Sequence, residues 1–350
     1  MLAELSLAGL ALAFGLLFLW AFRSLPQERW QIFAAIPREK RVDGTWTGLN
    51  LTYYGAFTAT GVSVAVTLFI GLAGAMRIPL SLIGLLAVLL LCLCVPAARR
   101  IAEAVEAKPY TFTIGGASFV GLLVMPWLIV LMNATVGRTL GQELPVMGTL
   151  AALSIAYAVG EGIGRLACIS FGCCYGKPVQ ASPAWLRGLF RHRHFIFTGG
   201  LKKAAYEGVL ESVPVIPIQA VTATLSVAAG LVGLALFVQG RMAAAFLETA
   251  IVTQIWRAVS ELFRADHRGQ GTVSAYQIMA ILGACYAGLV ALALPAPPAV
   301  RPSLLTGLQL LWSPAVILGI QALWLFIFLY TGRSYVTGST IALSVLRDRT

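Results

Sequence analysis

Charge is the scarcest property of this 350-residue chain. Asp, Glu, Lys and Arg make up 11% of it, against about a quarter in a soluble domain. Too few polar side chains exist to cover a surface in water, so a soluble globular fold is excluded. Acids are scarcer than bases, 14 against 25, which leaves a formal net charge of +11. Histidine occurs three times, at 192, 194 and 267, so few positions can supply an imidazole base. Six cysteines are too sparse for a secreted disulfide scaffold. Disorder is excluded from the other side, because 59% of the residues are apolar and disordered chains lack apolar residues. Mean hydropathy is +0.84. What remains is an all-α polytopic membrane protein.

A spanning helix needs about 20 mainly apolar residues. That ruler gives nine spans, over 2–22, 49–75, 78–98, 114–135, 145–164, 215–238, 242–263, 273–294 and 308–330. The first lacks a basic lead and a small-residue cleavage site, which argues for a retained helix over a cleaved signal. Pro295-Ala-Pro-Pro298 breaks the chain between the last two spans. The longest connection, 177–214, carries Arg187, Arg191, His192, Arg193, His194, Lys202 and Lys203. A loop this long is either folded and functional or a basic strip lying on anionic headgroups. Nucleic acid is a poor partner, because the basic residues are scattered through short loops. Of the 25 basic residues, 19 fall in odd-numbered loops and the tail and 4 in even-numbered loops. The positive-inside rule puts the odd loops in the cytoplasm.

An ionisable side chain inside a span costs about 3 kcal/mol on insertion scales, so it marks function by default. Glu161 and Arg165 end the fifth span four residues apart, on one helix face. Gln254, Arg257, Glu261 and Arg264 form a stripe along the seventh. Three guanidiniums against two carboxylates leave positive charge at membrane depth. Arginine suits bidentate phosphate recognition, so a phospholipid headgroup is the expected ligand. A plain interhelical ion pair is the alternative.

The fifth span runs into Gly164-Arg-Leu-Ala-Cys168-Ile-Ser-Phe-Gly-Cys173-Cys174-Tyr-Gly176-Lys-Pro178. Its glycines permit tight turns and close backbone approach, and Pro178 stops a helix. The turn's N–H groups could form an anion nest beside Arg165. Cys168, Cys173 and Cys174 lack the paired spacing and fourth ligand of a zinc site. No metal is expected there. Adjacent cysteines make a strained disulfide, and small apolar filler is the commoner fate.

These residues resemble the prolipoprotein diacylglyceryl transferase family. The Gly164-Arg165 to Gly176 segment is similar to its signature, and Arg257-Ala-Val-Ser-Glu261-Leu-Phe-Arg264-Ala-Asp266 resembles its Arg-xxx-Glu-xx-Arg helix. Ser274 and Gln277, Tyr54-Gly55, Gly115-Gly116 and Pro217-Ile-Gln219 match further family motifs in the same order. The resemblance implies a seven-helix transferase-like core over 49–294, with one extra transmembrane helix at each end, in 1–48 and 295–350.

It implies a multi-pass protein of the bacterial inner membrane that moves a diacylglyceryl group from phosphatidylglycerol, or another anionic phospholipid, to a lipoprotein-precursor cysteine. Glycerol phosphate leaves, and no cofactor is expected. Arg165, Arg257, Glu261 and Arg264 would carry the catalysis. Tyr54, Glu161, Gly164, Gly176 and Gln277 would bind lipid. The family's His is here Val120, its Asn positions are Cys168 and Phe171, its Glu is Cys173, and its Tyr before the helix Arg is Thr253. The general base therefore has no inherited residue, and Cys168, Cys173, Cys174 and His267 are the candidates for the acceptor side or the base. A non-enzymatic lipid-binding relative is the second reading. A transporter is the third, but the paired repeats with broken helices that it would carry are not visible. The family orientation puts the long loop in the periplasm, opposite to the charge count, and is the orientation adopted.

Overall fold

The computed structural model describes residues 2–107, 113–266, 273–294 and 301–350. Long apolar runs must satisfy their backbone groups internally, which leaves helices as the open-ended solution in lipid. In chain order the helices are α1 (Leu2–Ser24), α2 (Tyr53–Ala75), α3 (Leu80–Glu106) and α4 (Ile114–Met132), followed by a π turn (Asn133–Gly137) and α5 (Arg138–Leu140). Then come α6 (Val146–Phe171), α7 (Ala184–Phe190), α8 (Lys203–Tyr206), α9 (Ile218–Val238), α10 (Met242–Ser260), α11 (Ala275–Ala293), α12 (Leu304–Leu311) and α13 (Pro314–Thr331). Five short strands intervene: β1 (Ile32–Lys40), β2 (Trp46–Thr52), β3 (Phe195–Ile196), β4 (Pro214–Val215) and β5 (Arg333–Ile341).

Among the described residues, eight helices are long and apolar enough to cross a membrane, so the chain is a mostly helical, multi-pass membrane protein. Nine spans were expected. The difference is α10, whose Glu248, Gln254 and Arg257 dilute its apolar character. It packs in the bundle all the same, against α6, α9 and α11. The helix is also shorter than expected: it ends at Ser260, and Glu261–Phe263 form a 3-10 turn. The expected second span loses its first residues to β2. The expected ninth divides at Ser313, whose side chain caps α13 with Pro314 in the first turn.

The centre of the bundle is α6, with 78% of its apolar window buried, against 11% for α1 and for α13. It lies against α2, α9 and α10. The approach to α2 is close: a Cβ on Gly61 would sit 2.9 Å from the Gly160 carbonyl and 3.0 Å from the Gly164 nitrogen.

Outside the bundle, the first loop and the tail join in one antiparallel sheet of order β1-β2-β5. This sheet and the β3-β4 pair are additions to the all-helical expectation. The 177–214 connection is folded. Phe195 and Phe197 enter a core with Phe18, Ala21 and Leu25 of the α1 end. Thr198 donates its N–H to the Pro26 carbonyl. Lys202 is fully buried, and its Nζ donates to the carbonyls of Leu25 (3.0 Å) and Ser170 (2.5 Å). The basic first loop, fifth loop and tail therefore gather at one end of the bundle. Pro295–Pro298 and His267 lie outside the described residues.

Candidate functional site

The last turns of α6 and α10 meet through ionic groups. Glu161 is buried on α6, and its Oε1 accepts from Arg165 Nη2 at 2.5 Å, as the i,i+4 spacing dictates. Arg257 Nη2 comes from α10 to the same carboxylate, at 2.8 Å from Oε1 and 2.9 Å from Oε2. It also donates to the Tyr157 hydroxyl, one turn earlier on α6. Room for the Arg257 guanidinium is left by the N-terminus of α4, where a Cβ on Gly115 would lie 3.4 Å from Nη1.

Arg264 reaches the site on extended chain after the 3-10 turn. Its Nε and Nη2 donate to the two carboxylate oxygens of Asp266, at 2.8 and 2.7 Å, and Nη1 lies 3.5 Å from Glu261 Oε1. The expected surplus of positive charge is therefore absent. Asp266 adds a third carboxylate to balance three guanidiniums. What is left over is hydrogen-bonding capacity: the buried Nε groups of Arg165 and Arg257 have no partner among the described residues.

Arg165, Arg257, Arg264, Glu161 and Glu261 line one small cavity, together with Thr222, Ser226, Thr253, Trp256 and Ser260. A second cavity shares Arg165, Arg264, Thr222 and Ser260 and is bordered by Cys174 and Gln219. The hydroxyl-bearing walls come from α9 and α10, with Trp256 Nε1 donating to Thr222 Oγ1 at 3.0 Å. Gln254 leaves the expected stripe and abuts Gly283 of α11 instead.

The turn after α6 is a Schellman motif. Gly172 is left-handed (φ 74°), its N–H bonds the Ile169 carbonyl, and the Cys173 N–H bonds the Cys168 carbonyl. Cys174 follows with φ 55°. Gly176 then pairs with Arg264 in an isolated bridge. A Cβ there would lie 2.3 Å from the Ile216 carbonyl, so only glycine fits. Tyr54 of α2 stacks edge-on against Phe171, close to Arg165 and the three cysteines.

Two of the expected lipid contacts also take part in packing. Gln277 closes a capping box at the start of α11: its Oε1 accepts from the Ser274 N–H, and its Nε2 donates to the Ala258 carbonyl. Both ends of its amide are used within the protein. Gly164 is a point of close approach between α6 and α2. The sequence reading passed over Tyr157 and the Ser226 and Ser260 hydroxyls, and gave Asp266 and Thr222 no role. Tyr157 had a signal, as a polar group four residues before Glu161 on one helix face. His192 and His194 lie in the 177–214 connection, and among the described residues no histidine lines either cavity.

No curated protein matches the chain. The family model for prolipoprotein diacylglyceryl transferase matches residues 45–294, a stretch that holds the whole of the arginine cluster. By that match the chain belongs to the prolipoprotein diacylglyceryl transferase family, membrane transferases of lipoprotein biosynthesis.

Proposed function

We propose that the protein transfers a diacylglyceryl group from phosphatidylglycerol, or another anionic phospholipid, to the cysteine thiol of a lipoprotein precursor. The observation that carries this reading is the pair of buried, unpartnered Nε donors of Arg165 and Arg257 on one hydroxyl-lined cavity. In the reaction the acceptor thiol gives up its proton, its sulfur bonds to the glycerol carbon, the carbon–oxygen bond to phosphate breaks, and that electron pair leaves with glycerol phosphate, which takes up a proton in turn. Negative charge grows on that phosphate. Fixed guanidinium donors in a dry cleft stabilise such charge without reorganising, which is the largest common catalytic effect.

In this reading Arg165 and Arg257 hold the phosphate, Glu161 positions both, and Arg264 orients the mouth through Glu261 and Asp266. The reacting group sits between α6, α9 and α10. The membrane is the bacterial cytoplasmic membrane, with the 177–214 connection on its outer face. Residues 49–294 act as the catalytic core, and the helices of 1–48 and 295–350 are additions to it.

A second reading, a lipid-binding relative without turnover, draws support from the lack of a histidine base at the cavity among the described residues. One experiment separates them. Purified protein is mixed with phosphatidylglycerol and a peptide bearing a lipoprotein-type cysteine, and mass spectrometry follows glycerol phosphate and diacylglyceryl-peptide. Product formation that Arg257→Ala abolishes in a folded protein supports the transferase. Bound phospholipid with no product on that peptide supports the binding relative.

A further inference from the structure

We propose that Cys168, Cys173 and Cys174 form a three-thiolate site for a soft monovalent metal ion of the Cu(I) class. Their sulfur atoms all lie within 4.8 Å of one another. A trigonal thiolate site with metal–sulfur bonds of about 2.3 Å holds its sulfurs about 4 Å apart, so a small closure completes it. The convergence is built by the backbone. The Schellman turn folds Cys173 back over Cys168, and the left-handed Cys174 returns the third side chain to the same point.

Two further features suit a bound cation. Gln219 is almost fully buried; its Nε2 holds the Cys173 carbonyl at 2.9 Å, while its Oε1 has no hydrogen-bond partner among the described residues. Gln219 and Cys174 border the same cavity, so this unfilled acceptor sits at the edge of the thiol cluster. The surroundings are cationic as well: Arg165 and Arg264, each also paired with a carboxylate, stand in electrostatic contact with Cys174.

The ligand set selects the metal. Thiolates prefer Cu(I) and zinc, but zinc asks for four ligands. No fourth Cys, His, Asp or Glu joins the cluster among the described residues. Binding converts three thiols to thiolates and releases three protons. A metal here would clamp the end of α6 to the strand-like chain that pairs Gly176 with Arg264. It would thereby hold two of the cavity's arginines at fixed separation.

The test uses the purified full-length protein in detergent, kept anaerobic and titrated with Cu(I) against a chromophoric chelator. The expected result is one Cu(I) per chain, with X-ray absorption reporting three sulfur neighbours. Cys168→Ser, Cys173→Ser and Cys174→Ser should each weaken binding more than about 100-fold, beyond the range typical of losing an outer-shell contact. Cys92→Ser should leave it unchanged. A second measurement does not depend on variants folding: thiol alkylation read by mass spectrometry. Cu(I) should protect Cys168, Cys173 and Cys174 while Cys92 and Cys285 still react. Equal protection of all the cysteines, a disulfide within the cluster of the protein as purified, or Zn(II) binding more tightly than Cu(I) would overturn the proposal. None of these readings involves lipid turnover, so they stand or fall apart from the transferase reading.

Discussion

Glu161 and Arg257 meet across the α6–α10 contact, one guanidinium nitrogen bonding both oxygens of the carboxylate at 2.8 and 2.9 Å. Arg165 takes Oε1 of the same group from within α6. One buried carboxylate thus fixes two arginines that differ by 92 positions in sequence. Removing one partner of a buried ion pair strands the other charge and costs about 3–5 kcal/mol. Glu161→Ala should lose stability of that order, read as a drop in the thermal midpoint in detergent. Glu161→Gln should keep the hydrogen bonds in part and lose less. A Glu161→Ala protein as stable as the parent would mean that the triad contributes nothing to the bundle.

Gly176→Ala should be damaging out of proportion to its size. The added Cβ would fall 2.3 Å from the Ile216 carbonyl. Overpacking of this kind costs about 1–3 kcal/mol. It should also loosen the bridge to Arg264 and weaken phospholipid binding. Gly188→Ala, with open space around its Cβ, is the matched control. Equal thermal midpoints and lipid affinities for the two variants would refute the close-approach argument.

Lys202 makes stability depend on pH. Burial lowers its ammonium from the ordinary 10.5 to about 7, and a neutral amine still has an N–H for each of its two carbonyls. Between those values the unfolded chain holds a proton that the folded chain has released. Stability therefore rises with pH across this window, and that gain is lost as pH falls to about 7. Thermal midpoints taken between about pH 7 and pH 10 should climb. Lys202→Met should flatten the slope even as it lowers the midpoint throughout. An unchanged slope in the variant would assign the dependence to another group.

Gln277→Ala should separate structure from binding. The substitution keeps the Ser274 cap on the backbone and removes the two side-chain hydrogen bonds to the Ser274 N–H and the Ala258 carbonyl, each worth about 1 kcal/mol. The variant should unfold at a lower temperature and bind phospholipid like the parent. A selective loss of lipid binding would restore Gln277 to the headgroup contacts.

The sequence by itself determined the membrane class, because composition sets how much surface water can wet. It determined most of the spans, since length and apolar content suffice for them. It determined the Glu161–Arg165 pair, which follows from helical period alone; the fifth span, expected to end at Gly164, runs on to Phe171. The family was legible in motifs that lie in order along the chain.

Tertiary structure decided what lies between distant segments. Packing of α10 on α6 brought Arg257 to Glu161 and Tyr157. The extended chain after α10 gave Arg264 to Asp266, which cancelled the charge surplus that counting residues along the stripe had suggested. The helix start at Ser274 engaged Gln277 in its cap, and the tail found the first loop through β2. The three cysteines look unsuited to a metal when their spacing is read as a string. They converge because the chain reverses over the end of α6. Where the partner lies far along the chain, as Arg257 does from Glu161 and β5 from β2, it is chosen by how helices and strands pack, and a pattern that extends only a few residues along the chain carries no record of that choice.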